Sequence, residues 1–383
     1  MRSANMSEPI RILHVLGGLG LGGAETFVMN LYRSIDRDEF QFDFVIYDNG
    51  LRDYEAEIER LGGRIFCSPY FTITKAHKYK IWWRKFLQEH PEYQIIHGHL
   101  RSTAAIYLRE AKKQRRYTIA HSHNTSSGKG VVAKIKNFMQ FPIRYIADEF
   151  VGCSEKANEW LFGKRIAHSN RCKVIRNSIQ LEKYQFDRDR RESIRKELNI
   201  QDDSLVIGNI GRMVFQKNQK FVLRVFCEIQ KVCPKARLLM IGKGVLEEQL
   251  KQEAVDLGIQ DKVSFMGNRH DVEKLLNAMD VFLFPSYYEG LGIVAVEAQA
   301  NCLPIVCSNA IPREAVVSNK FFYKKLEDPL DSWVKTILDV TFKYKREDVL
   351  FNQLYSEYKI ERTLVAVKKI YYSGLFEVKR KNV

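Results

Sequence analysis

Apolar residues along this chain fall into short β-branched runs, separated by longer stretches in which they recur at helical spacing. Runs at 11–16, 42–47, 64–67, 94–97 and 117–121 predict strands. Stretches at 24–34, 53–61, 81–89 and 103–113 predict the helices between them. The alternation then restarts, with strands at 205–210, 236–241, 263–265, 281–284 and 305–307 and helices at 220–233, 246–257, 272–279 and 293–300. Strands alternating with helices specify parallel sheets covered on both faces, so the chain reads as α/β with two doubly wound domains. The expected division is 1–180 and 181–358, with the boundary in the polar, charge-rich stretch 180–201. A helical apolar period over 360–375 predicts that the segment 359–383 packs back on the first domain. Because doubly wound sheets bind ligands at the carboxyl ends of their strands, two such domains predict a cleft between them.

Composition narrows the class. An apolar content of 45% with 28% charged residues is that of a water-soluble chain of 383 residues. No run approaches the roughly 20 apolar residues of a membrane-spanning helix, and residues 1–9 lack a signal-peptide apolar core. Seven scattered cysteines, none spaced as CxxC, predict a reducing, cytoplasmic compartment and argue against a zinc or disulfide framework. The net charge of +15 is uneven: residues 1–180 carry 28 Lys and Arg against 18 Asp and Glu. That field attracts phosphates. With no zinc-finger or RNA-recognition signature, a lipid or sugar phosphate ranks ahead of nucleic acid.

Three glycine-bearing turns follow predicted strands. The first is Gly17-Gly18-Leu19-Gly20-Leu21-Gly22-Gly23-Ala24-Glu25, where backbone can approach a phosphate or sugar closely. Its spacing differs from the dinucleotide fingerprint, which leaves a nicotinamide oxidoreductase a distant reading. The second, Gly208-Asn209-Ile210-Gly211-Arg212, delivers Arg212 at a strand end with Lys217 five residues on, a fork and a point charge suited to a diphosphate. The third, Phe284-Pro285-Ser286-Tyr287-Tyr288-Glu289-Gly290-Leu291-Gly292, enters a helix bearing Glu297. Backbone N–H groups at that helix start favour an anion. Two carboxylates eight residues apart beside such a turn suit a ligand that carries both hydroxyls and phosphates.

Taken together, Gly22-Gly23-Ala24-Glu25, Gly211-Arg212 with Lys217-Asn218, and Glu289-x₇-Glu297 resemble the retaining glycosyltransferases of family 4, of GT-B fold, closest to those that build capsular or exopolysaccharides. The resemblance runs from residue 11 to about 307. It implies two Rossmann-like domains facing a cleft, with the nucleotide held by the second and the acceptor mainly by the first. Arg212 and Lys217 match the diphosphate pair, Glu297 the ribose glutamate and Glu289 the donor-sugar contact, assisted by the turn at Gly290, Leu291 and Gly292. Gly22 and Gly23 match the loop facing the donor phosphates, and the segment of Asn268 and Arg269 resembles the one that contacts the base. His121 or His123 resembles the histidine near the transferred sugar; His121, which directly ends the apolar run, is slightly preferred. With His97 and His99 these form two H-x-H pairs, a pattern that can ligate metal. The family, however, uses neither a divalent ion nor another cofactor, and a structural role suits His97 and His99.

Two departures stand out: Cys302 where the family usually has glycine, and Ser178 in Arg176-Asn177-Ser178-Ile179 where Asn-Gly is usual. Asp36-Arg37-Asp38 and Asp187-Arg188-Asp189 read as D-x-D but follow no apolar strand, and are expected to be solvated acids. Residues 131–146 interleave Val, Ile, Phe and Met with Lys134, Lys136 and Arg144, with Pro142 as a kink; such a segment suits the inner membrane leaflet. The expected activity is therefore sugar transfer from a nucleoside diphosphate, with UDP expected, to a lipid-linked saccharide by a peripheral enzyme on the cytoplasmic membrane face. A nucleotide-sugar 2-epimerase and a non-catalytic glycan-binding partner of a polysaccharide assembly complex are the rival readings.

Overall fold

A computed structural model describes residues 8–128, 130–346 and 349–382. The chain forms two compact units, Met1–Ser178 with Ile360–Val383, and Ile179–Lys359.

The first unit is built on β1 (Ile10–Val15), β2 (Phe40–Tyr47), β3 (Ile65–Ser68), β4 (Ile95–Gly98), β5 (Tyr117–Ser122), β6 (Glu149–Gly152) and β7 (Cys172–Val174), in the order β3-β2-β1-β4-β5-β6-β7. All pairings are parallel. The sequence pattern had not marked β6 or β7. β7 has three residues and exposed positions at an edge, where alternation is too brief to read.

One face of this sheet buries Phe27, Phe40, Phe42, Phe44 and Tyr32, the other Trp83, Tyr93, Tyr107 and Phe150. The helix Ile360–Asn382 completes the first face with Val367, Ile370, Tyr371 and Val378. Contact there is close enough that a Cβ on Gly374 would sit 2.6 Å from the Tyr117 ring. In β2, the fully buried Asp43 carboxylate accepts hydrogen bonds from Arg11 (Nε, 2.6 Å), the Arg64 amide (2.7 Å) and Tyr93 (2.8 Å).

The second unit contains β8 (Val206–Ile210), β9 (Arg237–Ile241), β10 (Val263–Phe265), β11 (Val281–Phe284), β12 (Ile305–Ser308) and β13 (Phe321–Lys324), ordered β10-β9-β8-β11-β12-β13 and again parallel. The charged stretch expected to hold the boundary is instead the helix Arg188–Glu197 of this unit, capped by Asp187, whose side chain accepts from the Arg190 amide. Its anchor is polar: Arg191 and Arg195 both bond the Asp280 carboxylate and carry further bonds to backbone carbonyls. Cys302 adopts φ 56°, the left-handed region, just after the helix Ile293–Ala300. This explains why a glycine would suit the position.

In each sheet the strand order reverses once, beside β1 and β4 in the first and beside β8 and β11 in the second. Loops that diverge at such a switch point leave a crevice at the carboxyl ends of the strands.

Candidate active site

The two motif loops of the second unit meet at its switch point. The loop after β8 and the loop after β11 are laced together: the Tyr287 amide donates to the Gln216 carbonyl (2.9 Å), Gln216 Nε2 donates to the Tyr288 carbonyl (2.9 Å), and Asn218 donates to the Pro285 carbonyl (3.1 Å). Within this lacing Lys217 Nζ lies 2.7 Å from Glu289 Oε1. Glu289 is only 7% exposed, so the pair is largely withdrawn from water and its attraction correspondingly strong. The lysine stem lies against Gly211, where an added Cβ would be 3.2 Å from Lys217 Cε. Arg212, one residue on, is exposed, and its side chain makes no ion pair among the described residues. One cation is thus matched by a carboxylate and the other is open to a ligand.

Behind this turn, Gly242 (φ 125°) could not carry a side chain, because a Cβ there would lie 2.3 Å from the Gly211 carbonyl oxygen. Its amide donates to the Gly267 carbonyl at 2.7 Å, which brings the loop of Asn268 and Arg269 alongside. The Arg269 guanidinium is held bidentately by Asp271 at 2.7 Å, leaving chiefly backbone for a ligand. Leu291 is buried; the turn can offer its amide but not its side chain. Gly292 takes the left-handed conformation (φ 78°) that starts the helix Ile293–Ala300.

Glu297, inside that helix, is buried and accepts a hydrogen bond from Tyr184 at 3.2 Å. Burial pushes its carboxyl up to about 7, and the neighbouring Glu273 charge adds to the effect against the opposing Tyr184 and Lys183. The carboxyl is therefore held well above the ordinary range of a glutamate. Tyr184 and Gln216, which complete this arrangement, carried no motif signal.

In the first unit, the loop after β1 packs on residues 50–54. The Leu19 amide donates to the Leu51 carbonyl (2.5 Å), and a Cβ on Gly18 would meet the Leu51 amide at 2.8 Å. Gly22 and Gly23 open the helix Gly23–Ser34, and the space around Gly23 is clear to 4 Å. Gly22 has no side chain with which to cap that end, and the Glu25 carboxylate of the first turn lies beside it, 2.3 Å from where a Gly22 Cβ would sit.

Beside this loop stands a group of five histidines. β1, β4 and β5 are neighbours, His14 lies in register with His97, and alternation turns His97, His99, His121 and His123 onto the same face. His14 Nδ1 lies 3.0 Å from His99 Nε2, His99 Nδ1 2.8 Å from His123 Nε2, and His97 Nε2 3.1 Å from His121 Nδ1; His97 Nδ1 meets the Tyr371 hydroxyl at 3.0 Å. Burial drives His14 and His123 down to about 3 and the other three the same way, so all five rings are neutral. His121 is 1% exposed. His123 is half-buried, yet its Nε2 bonds His99 and its Nδ1 is enclosed. Neither ring shows a nitrogen to solvent; a role for His121 at a transferred sugar would require it to leave this position. Sequence reasoning singled out four of the five but missed His14, whose only signal was a polar residue inside the apolar run Ile12-Leu13-His14-Val15.

Two doubly wound units with glycine-bearing loops at their switch points have the architecture of the GT-B class. Residues 190–338 match the family described as Glycosyl transferases group 1, and residues 21–183 match Glycosyltransferase Family 4. A Bacillus subtilis protein named as the glycosyltransferase EpsF is 32% identical over 336 residues, 86% of this chain and 88% of that protein. The Escherichia coli enzyme named UDP-Gal:alpha-D-GlcNAc-diphosphoundecaprenol alpha-1,3-galactosyltransferase is 23% identical, covering 87% of this chain and 88% of its own. Among solved structures, Anabaena HepE in complex with UDP-glucose superposes with a TM-score of 0.79 at 17% identity, over 95% of this chain and 99% of that one. The chain belongs to the group 1/family 4 glycosyltransferases.

Proposed function

We propose that this glycosyltransferase moves a hexose from a UDP-linked donor to a lipid-linked saccharide, with retention of configuration, in the synthesis of a surface polysaccharide. The observation that carries the donor reading is the buried Lys217–Glu289 pair beside the open Arg212 at the second unit's switch point. A diphosphate bound there exchanges Glu289 for phosphate oxygens around Lys217 and gives Arg212 a bidentate partner. Glu289, released from the lysine, accepts hydrogen bonds from the sugar hydroxyls. As the sugar departs, charge grows on the diphosphate, and the two cations oppose it at fixed positions. Transfer by this route draws its positive charge from side chains and calls for no added divalent ion. Glu297 takes the ribose hydroxyls in its ionised form. The UDP, galactose and lipid-diphosphate chemistry in the printed names of HepE's complex and the Escherichia coli enzyme supports this choice of substrates.

Thermal-shift titration against a panel of nucleotide sugars tests the reading, since a ligand that binds only the folded protein raises the midpoint. A UDP-sugar is expected to give the largest shift, and a response to none of them overturns the proposal. The same titration carries a pH signature. Glu297 is protonated below about 7, so UDP-sugar affinity should fall as pH drops, about tenfold between pH 8 and pH 6. A Glu297→Gln variant should lose that slope, because the donor diphosphate itself does not titrate in this range.

No helix among the described residues is long and apolar enough to cross a membrane. We place the protein peripherally on the cytoplasmic membrane face through the helix Val131–Gln140 and the turn after it. Val131, Val132, Ile135, Phe138 (83% exposed), Phe141 and Tyr145 stand out from the surface with Lys134, Lys136 and Arg144 among them, and only Ala133 and Gln140 of that helix are buried. Phe138→Asp is expected to reduce co-sedimentation with vesicles containing anionic lipid at least tenfold, since burying one such ring stabilises by about 1.5–3 kcal/mol. Undiminished sedimentation would remove this helix from the membrane contact.

A further inference from the structure

The five-histidine group does more than donor binding and membrane contact ask of it. His14, His99 and His123 form one hydrogen-bonded row, and Tyr371, His97 and His121 another. Each neutral imidazole owns a single proton. In the first row three protons serve two contacts, so whichever way the row points, one end holds an N–H without an acceptor and the other a lone pair without a donor. The ends are indeed bare: His14 Nε2 and His123 Nδ1, with His121 Nε2 at the end of the second row, are buried without a hydrogen-bond partner among the described residues. Buried polar atoms left in that state cost stability.

We propose that His99, His121 and His123 bind one divalent transition-metal ion of the zinc type. Their ligand nitrogens already lie within 4.8 Å of one another, and those of His99 and His123 within 2.8 Å. Metal–nitrogen bonds of about 2.0–2.1 Å in a tetrahedral site place ligand nitrogens roughly 3.3 Å apart, so shifts on the order of an ångström convert the cluster into a site. His99 ligates through Nδ1 and donates its Nε2 proton to His14. His121 ligates through Nε2, its orphan atom, and donates its Nδ1 proton to His97, which in turn donates to the Tyr371 oxygen. His14 and His97 thereby hold the ligands' tautomers and ring orientations, the task that carboxylates or carbonyls perform around other metal sites. The Arg101 guanidinium, stacked on Trp160 at 4.7 Å, places positive charge near His123. It favours an anionic fourth ligand, such as hydroxide, to offset the ion. The partly exposed edge of His123 marks the side from which the ion enters.

The test is titration of the EDTA-stripped full chain with Co²⁺ and, separately, Zn²⁺. One equivalent of Co²⁺ is expected to give the visible absorption of a tetrahedral nitrogen site, and Zn²⁺ to displace it and raise the thermal midpoint by about 4 °C or more. Both responses are expected to vanish in His99→Gln and to weaken at least tenfold in affinity in His123→Gln, while Arg212→Ala keeps them. Should His99→Gln fail to fold, His123→Gln decides alone. Neither absorption nor a midpoint shift up to millimolar metal, or binding that is unchanged in the histidine variants, overturns the proposal.

Discussion

Replacing Lys217 with alanine is expected to lower sugar transfer by about 10²–10³, the cost of removing one preorganised charge from a developing anion. Geometry sets this effect above that of an ordinary surface lysine. Lys217 is fixed between the Gly211 backbone and the Phe284 ring, 5.2 Å from the ring centroid, with Glu289 at 2.7 Å. Little reorganisation is needed when phosphate replaces the carboxylate. The loss should fall mainly on kcat, because the charge is most useful when the leaving group carries its full share of negative charge. Alanine also leaves Glu289 buried without its lysine, so the thermal midpoint must be followed in parallel. A Lys217→Ala protein that stays folded and turns over within threefold of the native enzyme would sink the assignment.

The largest stability effect is expected at Asp43. Its carboxylate is fully buried and holds Arg11, the Arg64 amide and the Tyr93 hydroxyl together. Asp43→Ala leaves a cation, an amide and a phenol to find new partners or water. Breaking a buried pair from one side costs about 3–5 kcal/mol, which for a unit of this size is a midpoint lowered by roughly 10 °C. Calorimetry checks it, and a shift below 2 °C would mean that water replaces the carboxylate without penalty. Because Asp43 lies in the first unit, UDP-sugar binding at low temperature should persist.

The strand and loop pattern was legible because each motif loop follows a strand of ordinary length at a switch point, where periodicity changes abruptly. The diphosphate cations were legible as types, but their states were not. That Lys217 is held by Glu289 while Arg212 is open depends on the β8 and β11 loops being neighbours, a fact of strand order rather than of local sequence. The helix Arg188–Glu197 was hidden for a different reason. Its surface is nearly all charged, and it is held by Arg191 and Arg195 reaching Asp280, some 85 residues away in sequence. The histidine group is the clearest case. Each H-x-H pair reads as an alternating strand end, and only the lateral order β1-β4-β5 makes them one cluster that includes His14.

The return of Ile360–Asn382 to the first sheet has a consequence for synthesis on the ribosome. The second unit is a single continuous stretch, Ile179–Lys359, and can close as soon as it has emerged. The first unit cannot. Phe40, Phe42 and Tyr117 keep an uncovered apolar face until Val367, Tyr371 and Val378 arrive, although their own strands were made hundreds of residues earlier. The half of the protein that is translated first is therefore the half that is completed last, with an apolar face left uncovered in the interval.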